Sequence, residues 1–154
     1  NMNRRNHVNL SSLCTQFGHI LGATGTVDNR TRSCTVMKLR NNIKPVILGR
    51  RSRSFIVIPQ MFTFESLGRD GRALCSCETV ILESEINPFI SKLRKHGIKV
   101  TALHNHYLFE QPRLMFIHFV AIDRPLAFAK KVRDALRVLT TRQVRVVQRS
   151  RRAS

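Results

Sequence analysis

Residues 73–139 decide the fold, and they read ALCSCETVILESEINPFISKLRKHGIKVTALHNHYLFEQPRLMFIHFVAIDRPLAFAKKVRDALRVL. Three runs within them are rich in β-forming residues: 73–83, 98–109 and 113–122. A helix is predicted between the first two runs, because Asn87 is a good N-cap and Pro88 fits the first helical position. A second helix is predicted to begin at Pro125. The order strand, helix, strand, strand, helix is typical of half of a ferredoxin-like arrangement.

The N-terminal half adds a helix and further strands to the same domain. Apolar residues recur at helical spacing from Leu10 to Leu21, with Ser11 and Ser12 as cap candidates. Further strands are predicted at residues 33–39, 45–48 and 55–65, extending a mainly antiparallel sheet whose helices pack on one face. The predicted fold class is α+β. Three parts are expected: a flexible lead at 1–9, a domain at 10–141 and a basic tail at 142–154.

Composition limits the function classes. The chain has 154 residues, of which 42% are apolar, so one domain can bury a core without metal or disulfide. No uninterrupted run of about 18 apolar residues exists, which predicts no membrane span. The N-terminal residues contain no signal-peptide pattern, so four free thiols in a reducing cytoplasm are expected. Cys75 and Cys77 would point to one face of a strand, either sharing a site or acting as small apolar residues.

The charge is strongly positive. Lys and Arg number 27 against 9 acids, for a formal net charge of +18. The segment from Asn29 to Ser54 has no acid and eight basic residues: Arg30, Arg32, Lys38, Arg40, Lys44, Arg50, Arg51 and Arg53. The C-terminal residues add five arginines: Arg142, Arg145, Arg149, Arg151 and Arg152. Such a field attracts phosphate backbones and anionic surfaces in a salt-dependent way.

Three histidines carry the strongest chemical signal. On a strand, His104 and His106 project to the same face. The strand that follows Gln111-Pro112 should pair with theirs as an antiparallel hairpin, and in one register His104 lies opposite His118. Registers shifted by an even number of residues keep all three imidazoles on one patch. The alternative is that these histidines are satisfied core residues.

Neutral imidazoles at this spacing are good ligands for zinc and other divalent transition metals. A carboxylate would complete the site, and Glu83 or Glu85 is predicted to be nearest. A pocket without metal, in which the histidines act as acid–base or hydrogen-bonding groups, is the alternative. If the protein is an enzyme, a metal-activated water or a histidine general base is the expected mechanism.

The stretch from Glu78 to Leu139 resembles the LppY/LpqO-type family of bacterial domains of unknown function. The words that carry the resemblance are ETVILESEINPFISKLRKHGIKVTALHNHYLFEQPRLMFIHFVAID and PLAFAKKVRDAL. It implies eight motif positions: Glu85, Asn87, His104, Asn105, His106, Pro112, Arg113 and His118. Among them Glu85, Asn87, Asn105 and Arg113 are expected to bind the ligand, and the histidines to bind a metal. The resemblance implies no particular activity.

The predicted function is therefore the binding of a small molecule or a metal ion at the histidine patch. A second hypothesis is a basic nucleic-acid-binding module that uses the arginine-rich segment and the tail. In a third, the protein works as a subunit or a homo-oligomer, with the exposed edge of the strand at residues 55–65 as its docking surface.

Overall fold

The computed structural model describes residues 9–108 and 110–148, and within them it confirms the α+β class. The described helices are α1 (Leu10–Leu21), α2 (Glu83–Lys95) and α3 (Pro125–Leu136). The described strands are β1 (Gly25–Asp28), β2 (Ser33–Leu39), β3 (Ile43–Ile47), β4 (Arg50–Arg51), β5 (Pro59–Glu65), β6 (Ala73–Leu82), β7 (Lys99–Asn105), β8 (Glu110–Gln111), β9 (Leu114–Asp123) and β10 (Val144–Gln148). No helix in these ranges is both long and apolar enough to cross a bilayer.

A six-stranded antiparallel sheet forms the centre of the domain, in the order β1-β2-β5-β6-β9-β7. All three helices contribute buried residues to the core with one face of this sheet. Phe17 of α1 meets Phe64 of β5 edge-on at 5.0 Å between ring centroids. Phe89 of α2 meets Phe119 of β9 in the same way at 5.5 Å. These aromatic pairs fix the helical layer on the sheet.

The segment β6–α2–β7 is a split βαβ unit, because β9 lies between β6 and β7 and is antiparallel to both. Helix α2 begins at Glu83, so the predicted start at Asn87 and Pro88 is wrong. The carboxylate of Glu85 accepts a hydrogen bond from the Leu82 backbone N–H at 2.9 Å. That bond caps the helix one turn earlier than Asn87 would, and Pro88 is tolerated inside the helix.

A second, four-stranded sheet has the order β4-β3-β10-β8. The expectation that every early strand extends one sheet is therefore wrong for residues 43–47. Within the expected basic tail at 142–154, residues 144–148 form β10, parallel to β3. Alternation in Val144–Gln148 buries Val146 and exposes Arg145, which suits a sheet with one covered face. Residues 149–154 of that tail lie outside the described residues, as do residues 1–8 of the lead.

The small sheet covers one end of the large sheet on the face opposite the helices. Its contact is a second apolar cluster of seven buried residues: Ile43, Val57, Ile58, Val80, Leu82, Leu114 and Val146. The remainder of that face of the large sheet stays open. Strand β5 lies between β2 and β6, so the expected docking edge at residues 55–65 is wrong, and the outer strands are β1 and β7.

Two details at the N-terminus differ from expectation. The cap of α1 is the Asn9 side chain, which accepts from the Ser12 backbone N–H at 3.2 Å, and not a serine. Cys14 and Cys34 form a disulfide that joins α1 to β2, so the four cysteines are not all thiols. Such a bond is typical of proteins from oxidising compartments, in contrast to the expected reducing cytoplasm.

Candidate functional site

The β7–β9 pairing places the predicted histidines on the open face of the large sheet. His104 lies opposite Phe116, and Ala102 lies opposite His118. The observed register is thus shifted by two residues from the one in which His104 lies opposite His118. A shift by an even number of residues keeps both histidines on the same face of the sheet. A bulge between Val100 and Ala102 sets this register. Because β7 is an outer strand, His104 is open to solvent.

The two histidines meet through their Nε2 atoms, which are 3.0 Å apart. The Nδ1 atom of His104 lies 3.0 Å from the backbone oxygen of Asn105. A carbonyl oxygen only accepts hydrogen bonds, so this contact assigns the Nδ1 proton to His104 and leaves its Nε2 facing His118. Both rings are therefore held in defined orientations.

Glu78 completes the arrangement from the neighbouring strand β6. It lies directly opposite His118 in the β6–β9 register, and its Oε2 is 3.3 Å from Nδ1 of that histidine. Both side chains are about one-third exposed. This contact lies on the Nδ1 side of the His118 ring, whose Nε2 faces His104. We call Glu78, His104 and His118 the histidine relay.

The two Nε2 atoms form one hydrogen bond. Because Nδ1 of His104 carries the hydrogen that faces Asn105, Nε2 of His104 is the acceptor and Nε2 of His118 is the donor. Two imidazole nitrogens that meet beside a carboxylate at a sheet surface suit metal ligation or acid–base chemistry.

A family model described as Domain of Unknown Function (DUF1259) matches residues 15–138. The chain belongs to this family. The match includes all six strands of the large sheet and the relay, and it ends before β10. The comparisons with curated proteins and with solved structures gave no match.

His106 of this DUF1259 chain does not join the relay. Its ring packs against Tyr107 and, edge-on, against Phe116, at centroid distances of 4.2 and 4.4 Å. Burial lowers the pKa of His106, against a smaller opposing effect of the backbone at Val57 and Ile56. The imidazole therefore stays neutral at neutral pH. Its environment is that of a half-buried packing residue.

The predicted carboxylate, Glu85, has other partners. Its oxygens accept from Arg40 at 2.7 and 2.9 Å and from the Thr140 backbone N–H at 2.7 Å, in addition to the capping bond described above. Four hydrogen bonds occupy a carboxylate fully. Glu85 is therefore a structural group, and Glu78 supplies the carboxylate at the histidines.

The other predicted ligand-binding residues are scattered. Asn87 is exposed on α2, and Asn105 contributes its backbone oxygen to His104. Arg113 is half exposed, with its Nε 3.5 Å from the carboxylate of Glu83. Within the described residues, no hydrogen bond or ion pair joins the side chain of Asn87, Asn105 or Arg113 to the relay. Among residues 9–108 and 110–148, no group of three or more His, Cys, Asp or Glu side chains is arranged to hold a metal ion.

The remaining thiols lie on the helical side of β6. Burial raises the pKa of Cys75 to about 12, with a further contribution from the charge of Asp123. Burial likewise raises the pKa of Cys77. Protonated, buried thiols are neither nucleophiles nor good metal ligands. The interpretation of these cysteines as small apolar residues fits their surroundings.

The arginine-rich segment is not a single surface. Arg40 is buried in its pair with Glu85, whereas Arg50, Arg51 and Arg53 are exposed. Only part of the segment is therefore free to meet an anionic partner.

Sequence reasoning missed Glu78. Its position opposite His118 depends on the register between two strands that are 40 residues apart along the chain. The available signal was the alternation in β6, where Ser76 and Glu78 are polar between the buried Cys75, Cys77 and Thr79. That pattern marks a face, but it does not identify the partner across the sheet.

Proposed function

We propose that this DUF1259 domain binds a divalent transition-metal ion at His104 and His118, with Glu78 as the outer carboxylate. Support comes from one observation: the two Nε2 atoms face each other, while Nδ1 of His104 bonds a backbone oxygen and Nδ1 of His118 lies 3.3 Å from the carboxylate of Glu78. Histidines that ligate metals almost always donate their other ring N–H to a carboxylate or a backbone carbonyl. The relay contains one of each.

The spacing of the nitrogens agrees with this proposal. Two nitrogens that each lie about 2.1 Å from one metal ion, at an angle of about 90–110°, are about 3.0–3.4 Å apart. The Nε2 atoms of His104 and His118 are 3.0 Å apart. Imidazole nitrogens suit zinc, copper and nickel, and among these we propose zinc as the first ion to test.

Two protein nitrogens leave the other coordination positions to water or to a bound molecule. A small molecule with an oxygen or nitrogen donor would therefore enter the site through the metal, so the metal and small-molecule hypotheses describe one site. The resemblance of residues 78–139 to LppY/LpqO-type domains belongs to the same proposal, because its motif positions include both histidines.

The test is calorimetric titration of Zn²⁺, and then of Ni²⁺ and Cu²⁺, into the protein after bound metal has been removed from it. We expect a stoichiometry of about one ion per chain and weaker binding at lower pH, because imidazole nitrogens must be unprotonated to ligate a metal. The double variant His104→Ala/His118→Ala should lose this binding. The matched control is His19→Ala, which removes an exposed histidine on α1.

Circular dichroism of each variant shows whether the fold is kept. Binding that survives in a folded double variant, or that falls equally with His19→Ala, would remove the basis of the proposal. Absence of binding in the unsubstituted chain would do the same.

A further inference from the structure

Residues 48–56 read LGRRSRSFI, with apolar residues at both ends and three arginines between them. Leu48, Phe55 and Ile56 are 70%, 54% and 61% exposed, although large apolar side chains are normally covered. The arginines between them, Arg50, Arg51 and Arg53, are exposed as well. We call these six residues the apolar–arginine tip.

The conformation of Leu48 shows how poorly it suits a hairpin in water. Leu48 and Gly49 form the two-residue turn between β3 and β4, with φ angles of 50° and 80°. Turns with two left-handed residues favour Asn-Gly, because Asn tolerates this region and is polar. Leu has neither advantage, and its side chain has little cover. An apolar side chain at this position is better suited to an apolar medium outside the protein.

A fourth exposed apolar residue lies at the same end of the small sheet. Leu108 is 64% exposed and comes two residues before β8. One row crosses the small sheet at the turn: Glu110, Gln148, Ile47 and Arg50 are consecutive partners. Leu48 follows this row from β3, and Leu108 precedes it towards the same end. Leu48 and Leu108 therefore lie at the same end of the small sheet.

The charge of the sequence around the tip is one-sided. No acidic residue occurs in the sequence between Asp28 and Glu65. Arg50, Arg51 and Arg53 form no ion pair with any of the described residues. Three guanidinium groups thus remain available for phosphate oxygens, with which arginine forms strong bidentate hydrogen bonds.

We propose that the apolar–arginine tip docks onto the surface of an anionic phospholipid bilayer. Leu48, Phe55 and Ile56 enter the boundary between headgroups and acyl chains, and the arginines bind headgroup phosphates. A nucleic acid would use the same arginines, but it would leave Leu48 and Ile56 in water, since sequence-independent binding to single strands relies on aromatic rings. The mixture of aliphatic and basic side chains favours the bilayer.

The first test is flotation of the full chain with two kinds of vesicle, pure phosphatidylcholine and phosphatidylcholine mixed with phosphatidylserine. Binding is expected only to the anionic vesicles. The variant Arg50→Gln/Arg51→Gln/Arg53→Gln should weaken it about 100-fold, at about fivefold for each arginine. The variant Leu48→Asn/Phe55→Ser/Ile56→Ser should weaken it about tenfold or more. Asn at position 48 suits the left-handed turn, so this change does not threaten the fold.

Matched controls separate the tip from the overall charge. Lys95→Gln/Lys130→Gln/Arg133→Gln removes three exposed charges from the helices, and Met37→Ser/Ile122→Ser removes two exposed apolar side chains elsewhere. Both controls should bind within about threefold of the unsubstituted chain. If the tip and control variants lose vesicle affinity equally, the binding depends only on net charge, and the proposal is overturned. Tighter binding to DNA, unaffected by the apolar tip variant, would overturn it in favour of a nucleic acid.

The second test uses the absence of tryptophan from the chain. In Phe55→Trp the single indole should shift its emission to the blue when anionic vesicles are added, because the ring leaves water. Ile122→Trp, at an exposed position on β9, should show no shift. A Phe55→Trp protein that sediments with vesicles without any shift would show that the tip does not enter the bilayer, and would overturn the proposal.

Discussion

Arg40 and Glu85 form a buried ion pair with two parallel hydrogen bonds, Nη1–Oε1 at 2.7 Å and Nη2–Oε2 at 2.9 Å. Their side chains are 4% and 5% exposed. Arg40 also donates to the backbone oxygens of Val80 and Thr140, and Glu85 accepts from the Thr140 N–H. The pair therefore ties together the end of β2, the start of α2 and the segment that follows α3.

Replacing Glu85 by Ala should lower the free energy of unfolding by about 3–5 kcal/mol, because it leaves the Arg40 guanidinium buried without a counter-charge. Urea titration followed by circular dichroism measures this loss. Glu83→Ala is the matched control, since its pair with Arg113 is more than half exposed and should contribute less than about 1 kcal/mol. Similar losses in both variants would contradict the structural role assigned to the buried pair.

Glu78→Gln should weaken metal binding at the relay by about 10- to 100-fold without abolishing it. The substitution removes the negative charge that lies 3.3 Å from Nδ1 of His118 and keeps the shape of the side chain. Calorimetric titration of Zn²⁺ gives the affinities. The control is Glu65→Gln, an exposed carboxylate on β5, which should bind as the unsubstituted chain does. An unchanged affinity in Glu78→Gln would show that the carboxylate does not act on the site.

Loss of the Cys14–Cys34 disulfide should lower the free energy of unfolding by about 2–4 kcal/mol, because the bond closes a loop of 20 residues in the unfolded chain. The double variant Cys14→Ala/Cys34→Ala is compared with the unsubstituted chain by urea titration. Addition of reductant should reproduce most of the loss in the unsubstituted chain and have no effect on the variant. If reductant leaves the unsubstituted chain unchanged, the disulfide does not contribute to stability.

The stability of the domain should depend on pH through His106. The ordinary pKa of a histidine is 6.5, and burial lowers the pKa of His106 below this value in the folded chain. The unfolded chain therefore binds this proton more readily than the folded chain does. The free energy of unfolding should therefore fall as the pH drops below 6.5, and this contribution should level off below the folded pKa. In His106→Gln the decline between pH 6.5 and about 5 should be shallower. An equal change in slope with the exposed His19→Gln would contradict a specific effect of His106.

The sequence predicts those parts of this fold that depend on neighbouring residues. Alternation placed β2 at residues 33–39, as observed, and the pattern from Pro125 predicted α3. The start of α2 was missed because a long-range partner, Arg40, helps to hold Glu85 where it caps the helix. Strand β10 was missed because it is short and is flanked by arginines, and its pairing with β3 spans about 100 residues.

The same limit applies to the site. The shared face of His104 and His118 follows from the period of a strand, and any even register preserves it. The separation of His106 from them depends on packing against Phe116 and Tyr107, which no local pattern specifies. Glu78 required the register of a third strand. Local patterns thus indicated the patch, and tertiary pairing determined which groups touch.

The parallel pairing of β3 with β10 has a consequence for synthesis of the chain. The large sheet and all three helices are contained in residues 10–136, so they can assemble while the following residues are still being translated. The small sheet has to wait for residues 144–148, because β10 lies between β3 and β8. Until then the apolar strip at Ile43, Val80 and Leu114 lacks the cover that Val146 provides. A nascent chain that stalls before β10 would therefore expose this apolar strip to aggregation and to binding by chaperones.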